Sequence, residues 1–339
     1  MTSIRDIAKL AGVSAASVSR ILNKDATFSI NENTRVRVLE IANQLDYSPK
    51  KNQKGGRNKG DQLTIALIVR HKEADEQEDP YFGQIRKGIE KEAARWRFRT
   101  VKAFYMRDKN KDWEQLKKYG AVIVIGEMTE EATKRLALFN KNIILVDNYS
   151  NTQPFDCIQT DFAQKTASLL DTMYEKKHRN ISFVGGLSTK VDSEGQVQTS
   201  KDEVRATAYK TWMRLNNLEK YSQIYQGSWG PEEGLALGKK LLASDPRPTA
   251  VIVASDPMAL GLYKAINEAN LKIPEDIAVA SFDDIEMAKF MTPSLSSVKA
   301  NPEEMGRMAV RLAKERMLEE RTMPIRVICS SELILRDSL

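Results

Sequence analysis

The sequence predicts two folds in one chain: an N-terminal all-α helix-turn-helix headpiece, then an α/β body of two doubly wound lobes. Three observations carry that prediction. Residues 3–46 show helical periodicity with capping residues, the formal net charge of +6 is confined to the first 60 residues, and from Leu63 onward short apolar runs alternate with amphipathic helical stretches. With 339 residues, 41% hydrophobic and 29% charged, the chain is long enough for roughly two globular units with sizeable cores.

The elements follow in order along the chain. Ser3 is placed to cap a first helix whose inner face carries Ile7, Leu10 and Ala11, and Gly12 stands where a chain leaves a helix. After Val13, Ser14 caps a second helix running from Ala15 to Asn23, with Val18, Ile21 and Leu22 turned inward. A third helix opens on a capping-box pattern, Ser29 with Glu32, and continues through Val36, Leu39 and Leu45. A short helix, a glycine turn and a second helix opened by small polar residues suit the DNA major groove, where small side chains permit close approach.

From Tyr47 to Leu63 the chain carries Pro49, Gly55, Gly56 and five basic residues, Lys50, Lys51, Lys54, Arg57 and Lys59, the composition of a flexible cationic linker. The predicted units are therefore residues 1–48 (DNA-binding), 49–62 (linker) and 63–339 (body). Residues 1–60 hold eleven basic and five acidic side chains, and the remainder holds 41 of each. A basic module on a neutral body suits a polyanionic partner, because each phosphate neutralised by Lys or Arg releases condensed counterions. In the body, LTIALIV, VKAFY, AVIVIG, IILVD, ISFVGG, AVIVAS and IAVASF read as buried parallel strands between helices.

Several function classes are disfavoured. No apolar run approaches the ~18 residues of a membrane helix. Arg5, Asp6 and Lys9 interrupt any signal-peptide reading, so a cytoplasmic protein with no membrane partner is expected. Cys157 and Cys329 stand far apart, and His71 and His178 are the only histidines, so no disulfide, metal site or cofactor is expected. Dinucleotide, phosphate-loop, GxSxG and HExxH patterns are missing, which argues against an enzyme. A sugar pocket instead needs planar polar groups with paired hydrogen-bonding atoms and an aromatic surface. Asp147, Ser255 and Asp283 follow strands, where open α/β sheets bind ligands, and Arg205 and Trp229 lie in other segments of the body. Each alone reads as a cap, an ion pair or ordinary packing.

The segments IRDIAKLAGVSAASVSRILN and ENTRVRVLEIANQLDYSP resemble the headpiece of the lactose/galactose repressor family of bacterial transcription factors. The resemblance implies that Ala15, Ala16 and Arg20 lie at base edges, with Ile4 sharing in specificity. It places Ser3, Ser14, Ser17, Ser19, Asn23 and Thr34 near phosphates, with Lys50 and Lys51 following in the linker. In the body, DEVRATAY, ASDPMALG and SFDD are similar to family segments that supply effector ligands, which assigns that role to Arg205, Ser255 and Asp283. Asp147, Trp229 and the Tyr81-Phe82 pair of DPYFGQIRKGIE inherit it as well.

The body is similar, through the same family, to periplasmic sugar-binding proteins, whose chain crosses between lobes three times. Lobe 1 is then expected at 63–161 and 292–326, and lobe 2 at 162–291 and 327–339, with crossings near 161, 291 and 327. Two departures stand out. No leucine precedes Leu63 in the linker to wedge between base pairs, and Ser255 stands where many sugar-responsive members carry asparagine. The resemblance implies a repressor of a sugar-utilisation operon, dimeric on a palindromic operator and released by a small sugar. Its closest likeness is to the galactoside-responsive branch, so a β-galactoside or galactose is the expected effector. The chain ends at ELILRDSL without leucine heptads, so no tetramer-forming tail is expected. Two alternatives stay open: a corepressor-dependent regulator of the same architecture, and an α/β enzyme or sugar-binding protein with a basic head.

Overall fold

The computed structural model describes residues 3–22, 25, 28–45, 63–70, 80–149 and 154–339. Asn23 and the linker with Lys50 and Lys51 lie outside the described residues. The headpiece consists of α1 (Ile4–Ala11), α2 (Ala15–Leu22) and α3 (Glu32–Gln44). Ser3 and Asp6 cap α1 reciprocally: the Asp6 N–H donates to Ser3 Oγ at 3.4 Å, and the Ser3 N–H donates to the Asp6 carboxylate at 2.8 Å. Gly12 ends the helix at φ 64°, where a side chain would be strained. Ser14 caps α2 by accepting from the Ser17 N–H at 3.0 Å.

Two expectations for the headpiece are corrected. The cap of α3 is Asn31, which accepts from the Asn33 N–H at 2.9 Å, and no Ser29–Glu32 box forms because Glu32 is itself the first helical residue. Leu10 is 61% exposed, because the inner arc of α1 runs through Ile7, Ala8 and Ala11 and leaves Leu10 at its solvent edge. Those three residues pack with Val18, Ile21 and Val38 into a core of their own.

The body holds two six-stranded sheets. The first contains β1 (Thr64–Val69), β2 (Arg99–Tyr105), β3 (Ala121–Ile125), β4 (Ile143–Val146), β5 (Asp156–Thr160) and β13 (Arg326–Cys329) in the order β13-β5-β4-β3-β1-β2. The second contains β6 (Ile181–Gly186), β9 (Gln223–Gly227), β10 (Ala250–Val253), β11 (Ala278–Phe282), β12 (Ser296–Lys299) and β14 (Glu332–Ile334) in the order β14-β12-β11-β10-β6-β9. All pairings are parallel except β12 with β14. Between β6 and the next helix, β7 (Ser188–Val191) and β8 (Val197–Ser200) form a separate antiparallel hairpin.

Helices cover both faces of each sheet, as buried parallel strands require. In lobe 1, α4 (Pro80–Arg95) lies with the late helix α10 (Pro302–Met317) on one face, and α5 (Glu130–Ala137) on the other. In lobe 2, α6 (Phe162–Glu175) and α7 (Val204–Leu215) oppose α8 (Pro231–Leu242) and α9 (Asp256–Glu268). Each lobe closes one helix pair with glycines: a Cβ on Gly88 or Gly306 would strike the backbone of α10 or α4, and one on Gly234 or Gly261 would do the same between α9 and α8. Among the described residues no helix is long and apolar enough to cross a membrane.

The chain passes between lobes after β5, after β12 and after β13. The second crossing, expected near 291, falls at 300–301, because β12 pairs with β11 before the chain leaves lobe 2. The third, expected near 327, falls at 330–331, because β13 completes the first sheet beside β5.

At the start of β5, Asp156 is fully buried and ties the end of α10 to the sheet. It accepts from Arg316 Nε at 2.9 Å, from Arg321 Nη1 and Nη2 at 2.8 Å each, and from the Ile325 N–H at 2.8 Å. Burial alone would raise its pKa, but the two arginines hold it below the usual carboxylate value. Its folded value is depressed, so its stabilisation is present at neutral pH and is lost as pH falls through the carboxylate range. Asp156→Ala should cost about 3 kcal/mol in urea unfolding at pH 7, since it strands two part-buried guanidinium groups, and the cost should shrink as pH falls below the usual carboxylate value.

Candidate DNA-reading face and effector cleft

The exposed face of α2 presents Ala15, Ala16 and Arg20, while Val18, Ile21 and Leu22 anchor the opposite side. Arg20 is 53% exposed, and its Nε sits 3.0 Å from Asp25 Oδ2. The guanidinium also lies 5.3 Å from the centre of the Phe28 ring. Asp25 and Phe28 were not singled out from sequence, and together they orient the arginine before any base is reached. Ser14 and Ser17 share a 2.9 Å hydroxyl contact, and Ser3 is occupied with Asp6. Ser19 and Thr34 are half-buried. Ile4 packs partly against the headpiece core, which leaves only part of its side chain for a base.

Between the two lobes lies a cavity of about 810 Å³, extending onto the groove between α6 and α7. Tyr81, Phe82, Asp147, Arg205, Trp229, Ser255 and Asp283 all line it. The topology explains the convergence: Asp147 follows β4, Trp229 follows β9, Ser255 follows β10 and Asp283 follows β11, so each stands at a carboxyl end facing the cleft. Tyr81 and Phe82 open α4, and Arg205 lies in the first turn of α7. Asp147 and Asp283 hold φ of 58° and 104°, strained for residues with a Cβ, as occurs where side chains are aimed at a ligand.

Arg205 is 8% exposed, which demands compensation for its charge. Its Nε donates to Glu203 Oε1 at 2.8 Å and its Nη1 to the Ala254 carbonyl at 2.7 Å. The other Glu203 oxygen caps α7 through the N–H groups of Arg205 and Ala206. The guanidinium sits 4.5 Å from the Phe162 ring centre, 5.3 Å from Trp229 and 5.4 Å from Phe282. Burial disfavours the cation, yet Glu203 and Asp283 outweigh it and raise its pKa. The Trp229 ring lies flat against Gly186, where a Cβ would collide with it, and its Nε1 donates to the Leu187 carbonyl at 3.0 Å.

Across the cleft, the Tyr81 hydroxyl donates to Asp147 Oδ1 at 3.2 Å. Burial and the charge of Glu127 push the Asp147 carboxyl up to about 6, against the pull of Arg205 and Tyr81. Ser255 turns out to be the N-cap of α9, accepting from the Met258 N–H at 3.4 Å, so its O–H remains to donate. Beneath it, Asp256 is fully buried and accepts from Ser281 Oγ, from Ser297 Oγ at 2.8 Å and from the Ile285 N–H at 2.8 Å. This carboxylate fixes the Asp283 loop from below. Glu203, Phe162, Tyr149, Glu127 and Arg70 also line the cavity and were not anticipated.

Comparison with known proteins agrees with this arrangement. The model of "Bacterial regulatory proteins, lacI family" matches residues 3–50, and that of "Periplasmic binding protein-like domain" matches residues 170–339. Over its whole length the chain is 34% identical to the HTH-type transcriptional regulator GalR of Lacticaseibacillus casei, covering 99% of that protein. It is 33% identical to the HTH-type transcriptional repressor MelR of Bacillus subtilis (strain 168), covering all of this chain and 97% of that one. Among solved structures, a transcriptional regulator CelR–cellobiose complex superposes with a TM-score of 0.69 at 22% identity, covering both chains fully. The lac repressor dimer bound to operator and the anti-inducer ONPF gives 0.68 at 19%, covering 99% of this chain and 98% of that one, likenesses that show the fold. With the headpiece and the second half of the body matched and full-length relatives at a third identity, the chain belongs to the lacI family of bacterial regulatory proteins, which act through helix-turn-helix DNA binding.

Proposed function

We propose that this protein represses a sugar-utilisation operon by binding a palindromic operator as a homodimer in the cytoplasm. A β-galactoside or galactose, bound in the cleft and not transformed, releases it. The observation that carries the reading is the convergence of side chains from both lobes around Arg205. The described lining holds five carboxylates, Glu127, Asp147, Asp202, Glu203 and Asp283, against three cations, Arg70, Lys190 and Arg205, so an anionic ligand such as a sugar phosphate is disfavoured. A neutral polyol suits it: hydroxyl groups donate to Asp147 and Asp283, accept from Arg205, and an apolar ring face rests on Trp229. Closure of the lobes changes the spacing of the two heads, and by linkage the effector then binds the operator complex more weakly than the free dimer.

Fluorescence anisotropy on a labelled palindrome from the protein's own upstream region, at fixed salt, tests the whole reading. Lactose, allolactose or galactose should lower operator occupancy. Tightening by a ligand identifies a corepressor, and specific binding indifferent to all three sugars retires the galactoside. In the same assay Arg205→Met should weaken release by a sugar about tenfold or more while operator affinity without sugar stays unchanged, since hydrogen bonds to a charged group are worth ~1.5–3 kcal/mol.

For the head, Arg20→Met should lose ~1–3 kcal/mol of discrimination at a single base pair per half-site, with little loss on unrelated DNA. A uniform loss on every sequence would assign Arg20 to the phosphates instead.

The elevated Asp147 carboxyl gives two opposite pH trends. Its folded pKa of about 6 exceeds the unfolded value, so the effector-free protein gains stability as pH falls from 7 toward 5. Effector affinity should fall over the same interval, because the protonated acid no longer accepts two ligand hydroxyls. Calorimetry at pH 5 and 7 checks this: Asp147→Asn should flatten the affinity trend and reduce the stability trend, to which the raised Asp256 carboxyl also contributes.

A further inference from the structure

We infer that the β7–β8 hairpin carries a second ligand subsite, so that the cleft takes a two-ring sugar with its outer ring held beneath the hairpin. This rests on the reading of the cleft as a sugar site. By chain the hairpin belongs to lobe 2, yet it docks on lobe 1. The Thr129 N–H donates to the Val191 carbonyl at 3.0 Å, and the Val191 N–H donates to the Glu127 carbonyl at 3.1 Å. Lys111 Nζ donates to the Ser193 carbonyl at 3.0 Å, and Arg135 pairs with Glu194 at 2.8 Å. Strand β7 is thereby fixed as a wall of the cavity, which it lines with Ser188, Thr189 and Lys190.

Two buried polar atoms at this wall have no hydrogen-bond partner: Arg70 Nε and Thr189 Oγ1. Their residues are neighbours, since Arg70 Nη1 donates to the Thr189 carbonyl at 3.2 Å. Buried polar groups are nearly always paired, so an adjacent orphaned donor and hydroxyl need explaining. One ligand hydroxyl explains both, accepting from Arg70 Nε and exchanging a hydrogen bond with Thr189. Ser188 Oγ reaches Glu127 Oε2 only at 3.4 Å, a long bond that a second ligand hydroxyl can replace. Trp229 joins the two regions, with its ring 5.3 Å from the Arg205 guanidinium and its Nε1 on the carbonyl of Leu187, the residue before β7. The inner ring then meets Arg205, Asp147 and Asp283, and the outer ring meets the hairpin.

The test is calorimetry on the full chain with galactose, lactose and allolactose. The unaltered protein should bind at least one disaccharide tenfold or more tighter than galactose. Thr189→Val and Arg70→Met should each cut that ratio at least fivefold, and Thr189→Ser, which keeps the hydroxyl, should restore it. Melting curves confirm that the variants fold, and because the readout is a ratio, a general loss of active protein does not move it. A preference for galactose in the unaltered protein, or equal losses for both sugar sizes in the variants, overturns the second subsite while leaving the sugar reading intact. No binding of any of the three sugars retires the galactoside effector and overturns this subsite for it.

Discussion

A cation buried between two lobes sets the conditions for everything around it. Moving a guanidinium out of water costs several kcal/mol unless it is paired and hydrogen-bonded, and Arg205 meets that demand with Glu203, the Ala254 carbonyl and three aromatic faces. Glu203 does double duty, because the same carboxylate caps α7 and so fixes where the arginine starts. Once Arg205 is placed, the opposite wall follows from its field. The positive charge offsets part of the desolvation of Asp147 and of its repulsion by Glu127. Tyr81 shares the arrangement by donating to the same carboxylate. A ligand that imported charge would upset this balance, whereas hydroxyl groups satisfy donors and acceptors on both walls.

The repeat within the body explains why such a site forms between lobes and not inside one. The strand orders of the two sheets correspond position for position, with the first strand of each lobe flanked by the second and third. Each sheet therefore has a switch point where loops diverge, and the two switch points face each other. Three chain crossings hold the lobes together, and the hairpin adds a non-covalent link through hydrogen bonds, the Arg135–Glu194 ion pair and the burial of Val191 in the core of lobe 1. Its backbone bonds bind it to lobe 1 while its roots stay in lobe 2. Opening of the cleft must either break those bonds or bend the chain near Leu187 and Lys201. A ligand beneath the hairpin is gripped by both lobes, which converts binding energy into closure.

The sequence displayed the fold wherever burial is apolar on both faces of a strand. All seven apolar runs from LTIALIV to IAVASF are strands. Some of the strands left unread bury polar residues with partners, and others lie exposed at sheet edges. In β12, Ser297 donates to the buried Asp256 and Ser296 donates to the Arg336 carbonyl, so SSVK looks like a loop and the second crossing was placed about nine residues early. The hairpin strands STKV and VQTS carry no core of their own and gave no periodic signal. In the cleft, the polar residues at strand ends were legible because position and chemistry coincide there. Phe162 and Tyr149 were not, because an aromatic residue at the start of a helix or in a loop reads equally well as packing. Leu10 and the Asn31 cap show the same limit in the head: spacing gives the face and the turn but not the edge residue.

The charge distribution bears on how a sugar could release DNA at all. The whole net charge of +6 lies in the first 60 residues, and none of the described residues among them lines the cleft. Sugar binding leaves that charge in place, so each head keeps its affinity for phosphates in either state. The Arg20–Asp25 pair is exposed and worth ~0–1 kcal/mol, so exchanging it for a base is cheap and does not gate the reading either. What remains for the effector to alter is simultaneous engagement by two heads. When the spacing of the linkers fits the half-sites, the second head binds at a high effective concentration, and when it does not, that advantage vanishes without the loss of a single protein–DNA contact. A differential affinity of ~1–3 kcal/mol between the two lobe arrangements is enough for such a switch, which places the selectivity of regulation in the cleft and leaves the headpiece free to be a rigid reader.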